Sequence, residues 1–219
     1  MKSVNISSVL NEGMIVNTRV GSGNIWYQNI VYKCEDHQLC LALVQEYLES
    51  TVLIGTTIFI KYANEYFEYL FEGKVTDIKI SSPSHITLKI SNGEEMINTR
   101  EFPRYDIYLA SEISPIWDDA KHFCIAINIS LGGMAFVSKH DFDYGEESKI
   151  KVFLPGDKTV AAKGKTIRKS AKNDYICYSM QFTEMTEEGS ILLSNYLTHL
   201  DDKLTEMRNH FFNEIKPNL

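Results

Sequence analysis

His122-Phe123-Cys124-Ile125-Ala126-Ile127-Asn128-Ile129-Ser130-Leu131-Gly132-Gly133-Met134-Ala135-Phe136-Val137-Ser138 is the stretch that decides the fold. Residues 122–129 mix β-branched and aromatic side chains at strand length. Leu131-Gly132-Gly133 is a turn signal, and 134–138 resumes the apolar run. The pattern is strand, turn, strand. The same rhythm continues outward, with strands predicted at 104–109, 148–154, 159–168 and 175–182. Tyr144-Gly145 and Pro155-Gly156-Asp157 punctuate them. Short strands at even spacing with polar turns point to a small barrel or sandwich.

The N-terminal part reads the same way. Ile25-Trp26-Tyr27-Gln28-Asn29-Ile30-Val31-Tyr32 has strand composition. The polar break Glu35-Asp36-His37 then leads to a second strand at 38–44, which suggests a hairpin. Further strands are predicted at 56–62, 66–80 and 85–90. The polar stretch Ser91-Asn92-Gly93-Glu94-Glu95 interrupts them and sets the expected domain boundary near Ile97. The expected fold is all-β: two small β-barrel domains, 1–96 and 97–219, with one C-terminal helix.

That helix is predicted from about residue 186. Thr186 is suited to N-cap it, and Glu187 and Glu188 fall in the first turn, where the helix dipole favours acids. Leu193, Leu197, Leu200, Leu204, Met207 and Phe211 recur at spacings of four and three, which makes one apolar stripe. The stripe is too short to establish a coiled coil, so the helix is expected to lie on the second barrel rather than form a dimer seam. The tail from Lys216 is expected to fray.

Composition narrows the function. The chain has 219 residues and a formal net charge of −7, which makes it a poor general nucleic-acid binder, because phosphate neutralisation supplies most non-specific affinity. An anionic ligand has to be held by a local group of cations. Cys34, Cys40, Cys124 and Cys177 include no C-x-x-C pair. No run approaches the roughly 20 apolar residues that span a bilayer, and the first residues lack a signal-peptide pattern. A reduced cytoplasmic protein is the expectation.

Two stretches carry chemistry. In Thr99-Arg100-Glu101-Phe102-Pro103-Arg104, Pro103 excludes a helix interior and biases Phe102 toward extended geometry. The two arginines therefore sit on a loop or strand entry, where both can fold onto one ligand, and their planar forks suit phosphate oxygens and the O6/N7 edge of guanine. In Asn128-Ile129-Ser130-Leu131-Gly132-Gly133, alternation puts Asn128 and Ser130 on one face of a strand end. The glycine pair is expected to permit positive φ and a close backbone approach to an anion.

Each stretch alone is weak, but their order and β context are specific. An R-x-x-x-R loop that opens a β-domain, followed by [D/N]-x-S-x-x-G, resembles the PilZ family. Arg100, Arg104, Asn128, Ser130 and Gly133 match its five motif positions. The resemblance spans residues 97 to about 200. It implies a six-stranded β-barrel that binds cyclic di-GMP, with the arginines on guanine and phosphate and the turn on the other side of the nucleotide. Thr99 and Gly132 would be further contacts. The N-terminal half is similar in layout to the partner domain of flagellar-brake (YcgR-like) PilZ proteins. That likeness implies a signal passed by domain reorientation to a protein partner, with the flagellar motor or its stator as one such partner.

The remaining candidates are weaker. Cys34, His37 and Cys40 form a C-x-x-H-x-x-C pattern that lacks a fourth ligand, and no metal site or cofactor is expected. Asp118-Asp119 and Asp201-Asp202 read as solvated acids, and Lys163, Lys165, Arg168 and Lys169 as a basic surface patch. Trp26 and Trp117 read as core or interdomain packing. No nucleophile signature appears, so no enzyme is expected. The alternative to a nucleotide sensor is a PilZ-fold adaptor that binds a protein but no nucleotide.

Overall fold

The computed structural model describes residues 2–23, 25–172 and 174–219. Two compact units emerge, Met1–Thr99 with Lys203–Leu219, and Arg100–Asp202.

The first unit contains β1 (Lys2–Ser3), a 3-10 turn (Ile6–Ser8), β2 (Ile15–Val20), β3 (Tyr27–Glu35), β4 (Gln38–Ala42) and α1 (Gln45–Glu49). β5 (Thr57–Ala63), β6 (Phe67–Lys79) and β7 (His85–Ile97) follow. Its sheet runs β1-β7-β4-β3-β2-β5-β6, and β6 pairs back onto β7, so the strands close into a barrel. Alternation explains the closure. Ile58 and Ile60 of β5, Phe71 and Val75 of β6, and Ile86 and Leu88 of β7 all point into one core. A buried polar knot ties α1 to that core. The Tyr47 hydroxyl donates to Thr18 Oγ1 (2.7 Å) and accepts from Asn29 Nδ2 (3.0 Å). Burial pushes its pKa up to about 12.

The polar stretch 91–95 does not end the strand, as the sequence had suggested. β7 runs through it to Ile97, paired with β6 up to Phe67. Gly93 is what permits this, because a Cβ there would meet the Val4 carbonyl and the Phe71 ring (2.8 Å). A register shift at Glu72/Gly73 absorbs the irregularity.

The second unit is β8 (Tyr105–Pro115), β9 (His122–Ser130), β10 (Gly133–Ser138), β11 (Glu147–Leu154), β12 (Lys158–Ala171) and β13 (Ile176–Met185). They form a closed antiparallel barrel in the order β10-β13-β12-β11-β8-β9. β11 alternates strictly, with Ser148, Ile150, Val152 and Leu154 buried and the residues between them exposed. Phe136 stacks on Tyr178 (ring centroids 4.9 Å), and Phe142 packs edge-on against both.

The C-terminal helix, α2 (Glu187–His210), begins where expected, with the Thr186 Oγ1 accepting from the Gly189 N–H (3.1 Å). Thr186→Ala is expected to cost about 1 kcal/mol, a fall in melting temperature of about 2 to 4 °C, measurable by thermal denaturation.

The helix's apolar stripe divides between two cores. Leu193 and Leu197 are buried in the second barrel's core with Leu200 beside them, while Met207 and Phe211 join Ile30 and Tyr32 of the first unit. The division between the compact units falls after Thr99, beside the expected boundary near Ile97, and Lys203–Leu219 groups with the first unit.

Nor does the tail fray at Lys216. The helix continues as a π turn (Phe211–Ile215) and a 3-10 turn (Lys216–Asn218). Phe211 stacks on Tyr32 at 5.4 Å, and Lys216 pairs with Glu12 at 2.8 Å. Gly13, at φ +77°, leaves the space that the Phe212 ring occupies. Among the described residues no helix is long and apolar enough to cross a membrane.

Candidate functional site

The chain leaves β7 at Asn98, whose N–H donates to the Tyr66 carbonyl (2.7 Å) and whose side-chain amide donates to the Asn64 carbonyl (2.8 Å). Residues 99–104 then run without regular structure to Tyr105, the first residue of β8. Pro103 cannot donate to a ladder, which keeps this segment out of the strand. Tyr105 pairs with Ile129 and Asp106 with Asn128, so the register of β8 on β9 brings Arg104 to the end of β9 where the glycine turn begins.

Arg100 and Arg104 are both exposed. Partial loss of solvent around the Arg100 guanidinium lowers its pKa, the positive charge of Arg104 lowers it further, and Asp106 opposes both. The two cations are thus close enough to repel, and an anion between them relieves the repulsion.

The turn is fastened from within. Asn128 Oδ1 accepts from the Ala135 N–H (3.2 Å), beside a register shift at Ala135/Phe136. The carboxamide is thereby oriented with its NH2 as the donor end. Ser130 is 6% exposed. Its hydroxyl donates to the Gly133 carbonyl (3.2 Å), so its oxygen lone pairs are what it offers a ligand. The Phe182 N–H donates to the Gly132 carbonyl (3.0 Å) and ties the turn to β13.

The two glycines serve a different purpose from the one their sequence suggests. Neither is among the residues with positive φ. Gly133 is required by space: a Cβ there would collide with the Met180 carbonyl of β13. A Cβ on Gly132 would stand 2.9 Å from Phe102 Cδ2, so the ring from the arginine segment lies over the turn. Arg100, Arg104, Asn128, Ser130, Gly132 and Gly133 belong to one compact unit, while Thr99 falls just outside it and is exposed.

The family model that matches the chain is the PilZ domain, over residues 98–199, and the match includes both arginines and the whole turn. Residues 98–199 are a PilZ domain. Three solved structures are similar over most of the chain. The Bacillus subtilis inhibitor of motility MotI/DgrA is 15% identical, with 89% of this chain and 99% of that one covered at a TM-score of 0.45. YcgR from Escherichia coli in complex with c-di-GMP is 12% identical, with 90% and 88% covered at 0.47. The MrkH–c-di-GMP complex of K. pneumonia is 11% identical, with 87% and 89% covered at 0.47. No curated protein matches the chain in sequence.

Elsewhere the structure bears on several smaller expectations. Within the PilZ domain, Trp117 is 77% exposed and is no core residue. Trp26, in the first unit, has Arg19 and Lys61 over its ring at 5.1 and 4.6 Å. Asp201 is engaged by the PilZ barrel, since it accepts from the Tyr105 hydroxyl (2.8 Å), whose pKa is pushed up to about 12 by burial and then by that carboxylate. In the basic patch, Lys163 pairs with Glu184 (2.6 Å) and Lys169 with Asp141. Cys34 packs against the first barrel's core and Cys40 against the Ile30–Tyr32–Phe211 cluster, so the two thiols lie on opposite faces of the hairpin.

Sequence reasoning missed the contact that joins the two stretches, Phe102 on Gly132. Its only sequence signal is an aromatic residue midway between the arginines.

Proposed function

We propose that the protein is a cyclic di-GMP receptor that passes the signal to a protein partner. The observation that carries this reading is the β8–β9 register, which brings Arg104 to the turn that follows Asn128 within a domain matching the PilZ family. In this reading Arg100 and Arg104 bind phosphate and the guanine O6/N7 edge through their planar forks. The Asn128 amide, the Ser130 oxygen and the Gly132–Gly133 backbone hold the other side, with Thr99 beside the first arginine. The nucleotide's negative charge relieves the repulsion between the two guanidinium groups.

The gripping segment directly follows Thr99, the last residue of the first unit's main body. A nucleotide that fixes this segment thereby acts on the disposition of the N-terminal unit and on the surface a partner meets. It shifts that equilibrium only by its differential affinity for the two arrangements. The layout's resemblance to flagellar-brake proteins puts the flagellar motor or its stator first among partners to test.

Guanine offers two acceptors to an arginine fork where adenine replaces O6 with an amino donor. Cyclic di-GMP is therefore expected to bind at least about a hundredfold more tightly than cyclic di-AMP, since each bidentate pair discriminates by about 1 to 3 kcal/mol and two bases are read. Calorimetric titration of both nucleotides measures this, and equal affinities would overturn the assigned roles.

A further inference from the structure

Within residues 99–104, Phe102 alone is half-buried, while Thr99, Arg100, Glu101, Pro103 and Arg104 are exposed. Its Cδ2–Cε2 edge faces Gly132, at 2.9 and 3.3 Å from where a Cβ would stand. The support beneath it is fixed, because the Gly132 carbonyl accepts from the Phe182 N–H of β13 (3.0 Å). Arg100 and Arg104 flank the ring, two residues to either side. Whatever holds the ring therefore governs where both guanidinium groups start from.

We propose that Phe102 is a positioning residue for the ligand site: wedged on Gly132, it holds the arginine segment against the 128–133 turn, and Gly132 lacks a side chain so that the ring fits. The proposal rests on the reading of this site as a cyclic di-GMP receptor, but its geometry is a property of the free protein. Two like charges four residues apart tend to splay an exposed segment. The ring on the turn opposes that tendency and lowers the ordering cost left for the ligand to meet.

The test is a mutant cycle in the full chain. Phe102→Ala is expected to weaken cyclic di-GMP binding about tenfold, which is about 1.4 kcal/mol, with the melting temperature held within about 2 °C. Phe102→Leu should recover most of the loss. Gly132→Ala, whose methyl displaces the ring, should match Phe102→Ala, and the double variant should be no worse than either single one. Undiminished binding by Phe102→Ala, or single losses that multiply in the double variant, would overturn the proposal. If the unmodified protein does not bind the nucleotide, the receptor reading falls instead. Hydrogen exchange of the nucleotide-free protein then decides: amides of residues 100–105 should exchange faster in Phe102→Ala and Gly132→Ala, and unchanged rates would refute the role.

Discussion

Replacing Arg100 and Arg104 together by alanine is expected to lower cyclic di-GMP affinity by a factor of about 10² to 10⁴ while leaving the fold intact. A lost charge-assisted hydrogen bond costs about 1.5 to 3 kcal/mol, so two cost about 3 to 6 kcal/mol, and 1.4 kcal/mol is tenfold. Both side chains are exposed, and the structure holds them where their charges repel. Their removal therefore takes nothing from the core, and the melting temperature should stay level or rise slightly. Calorimetry and thermal denaturation on the same samples separate the two effects. An unfolded double variant would make the arginines structural, and unchanged affinity would remove them from the site.

Gly133→Val should act in the opposite way, by damaging the barrel. The new Cβ would run into the Met180 carbonyl, and backbone at both ends of that contact has no rotamer to change. Overpacking against fixed backbone costs about 3 kcal/mol or more. In a chain of this size that is a fall in melting temperature of about 6 to 12 °C. Gly132→Ala meets only a side chain, Phe102, which can swing away, so its effect should appear in binding with little change in melting. A stable Gly133→Val variant that has lost only nucleotide affinity would reinstate ligand approach as the reason for this glycine.

Much of the fold is legible in the sequence because closed barrels keep strict alternation. The predicted strands at 148–154 and 159–168 fall inside Glu147–Leu154 and Lys158–Ala171, where inward residues are apolar or small and most outward ones are charged, with Phe153 and Ile167 as exposed exceptions. Thr186 announces the helix start through its cap. What escapes is structure whose cause lies elsewhere in the chain. Ile15–Val20 is a strand despite the polar Asn17, Thr18 and Arg19, because β3 and β5 flank it and Thr18 meets Tyr47 in the core. Residues 91–95 look like a break, yet the strand continues through them on β6 past one register shift, with Val4 and Phe71 filling the space at Gly93. The helix stripe reads as one face for one partner, whereas Phe211 finds its place on Tyr32.

The candidate site is legible as residues but less so as geometry. Arg100, Arg104, Asn128, Ser130 and Gly133 stand out by order alone. The engagement of Asn128 and Ser130 with the β10 backbone follows from register, the steric origin of Gly133 from β13 and that of Gly132 from Phe102, and no local pattern encodes them.

The central claim is that cyclic di-GMP is gripped between the arginine segment and the glycine turn, and hydrogen exchange with and without the nucleotide tests it most directly. Saturating cyclic di-GMP should slow exchange at residues 99–105 and 128–133 together, more than anywhere else in the second barrel. Protection confined to another surface, or no change in either segment, would contradict the account.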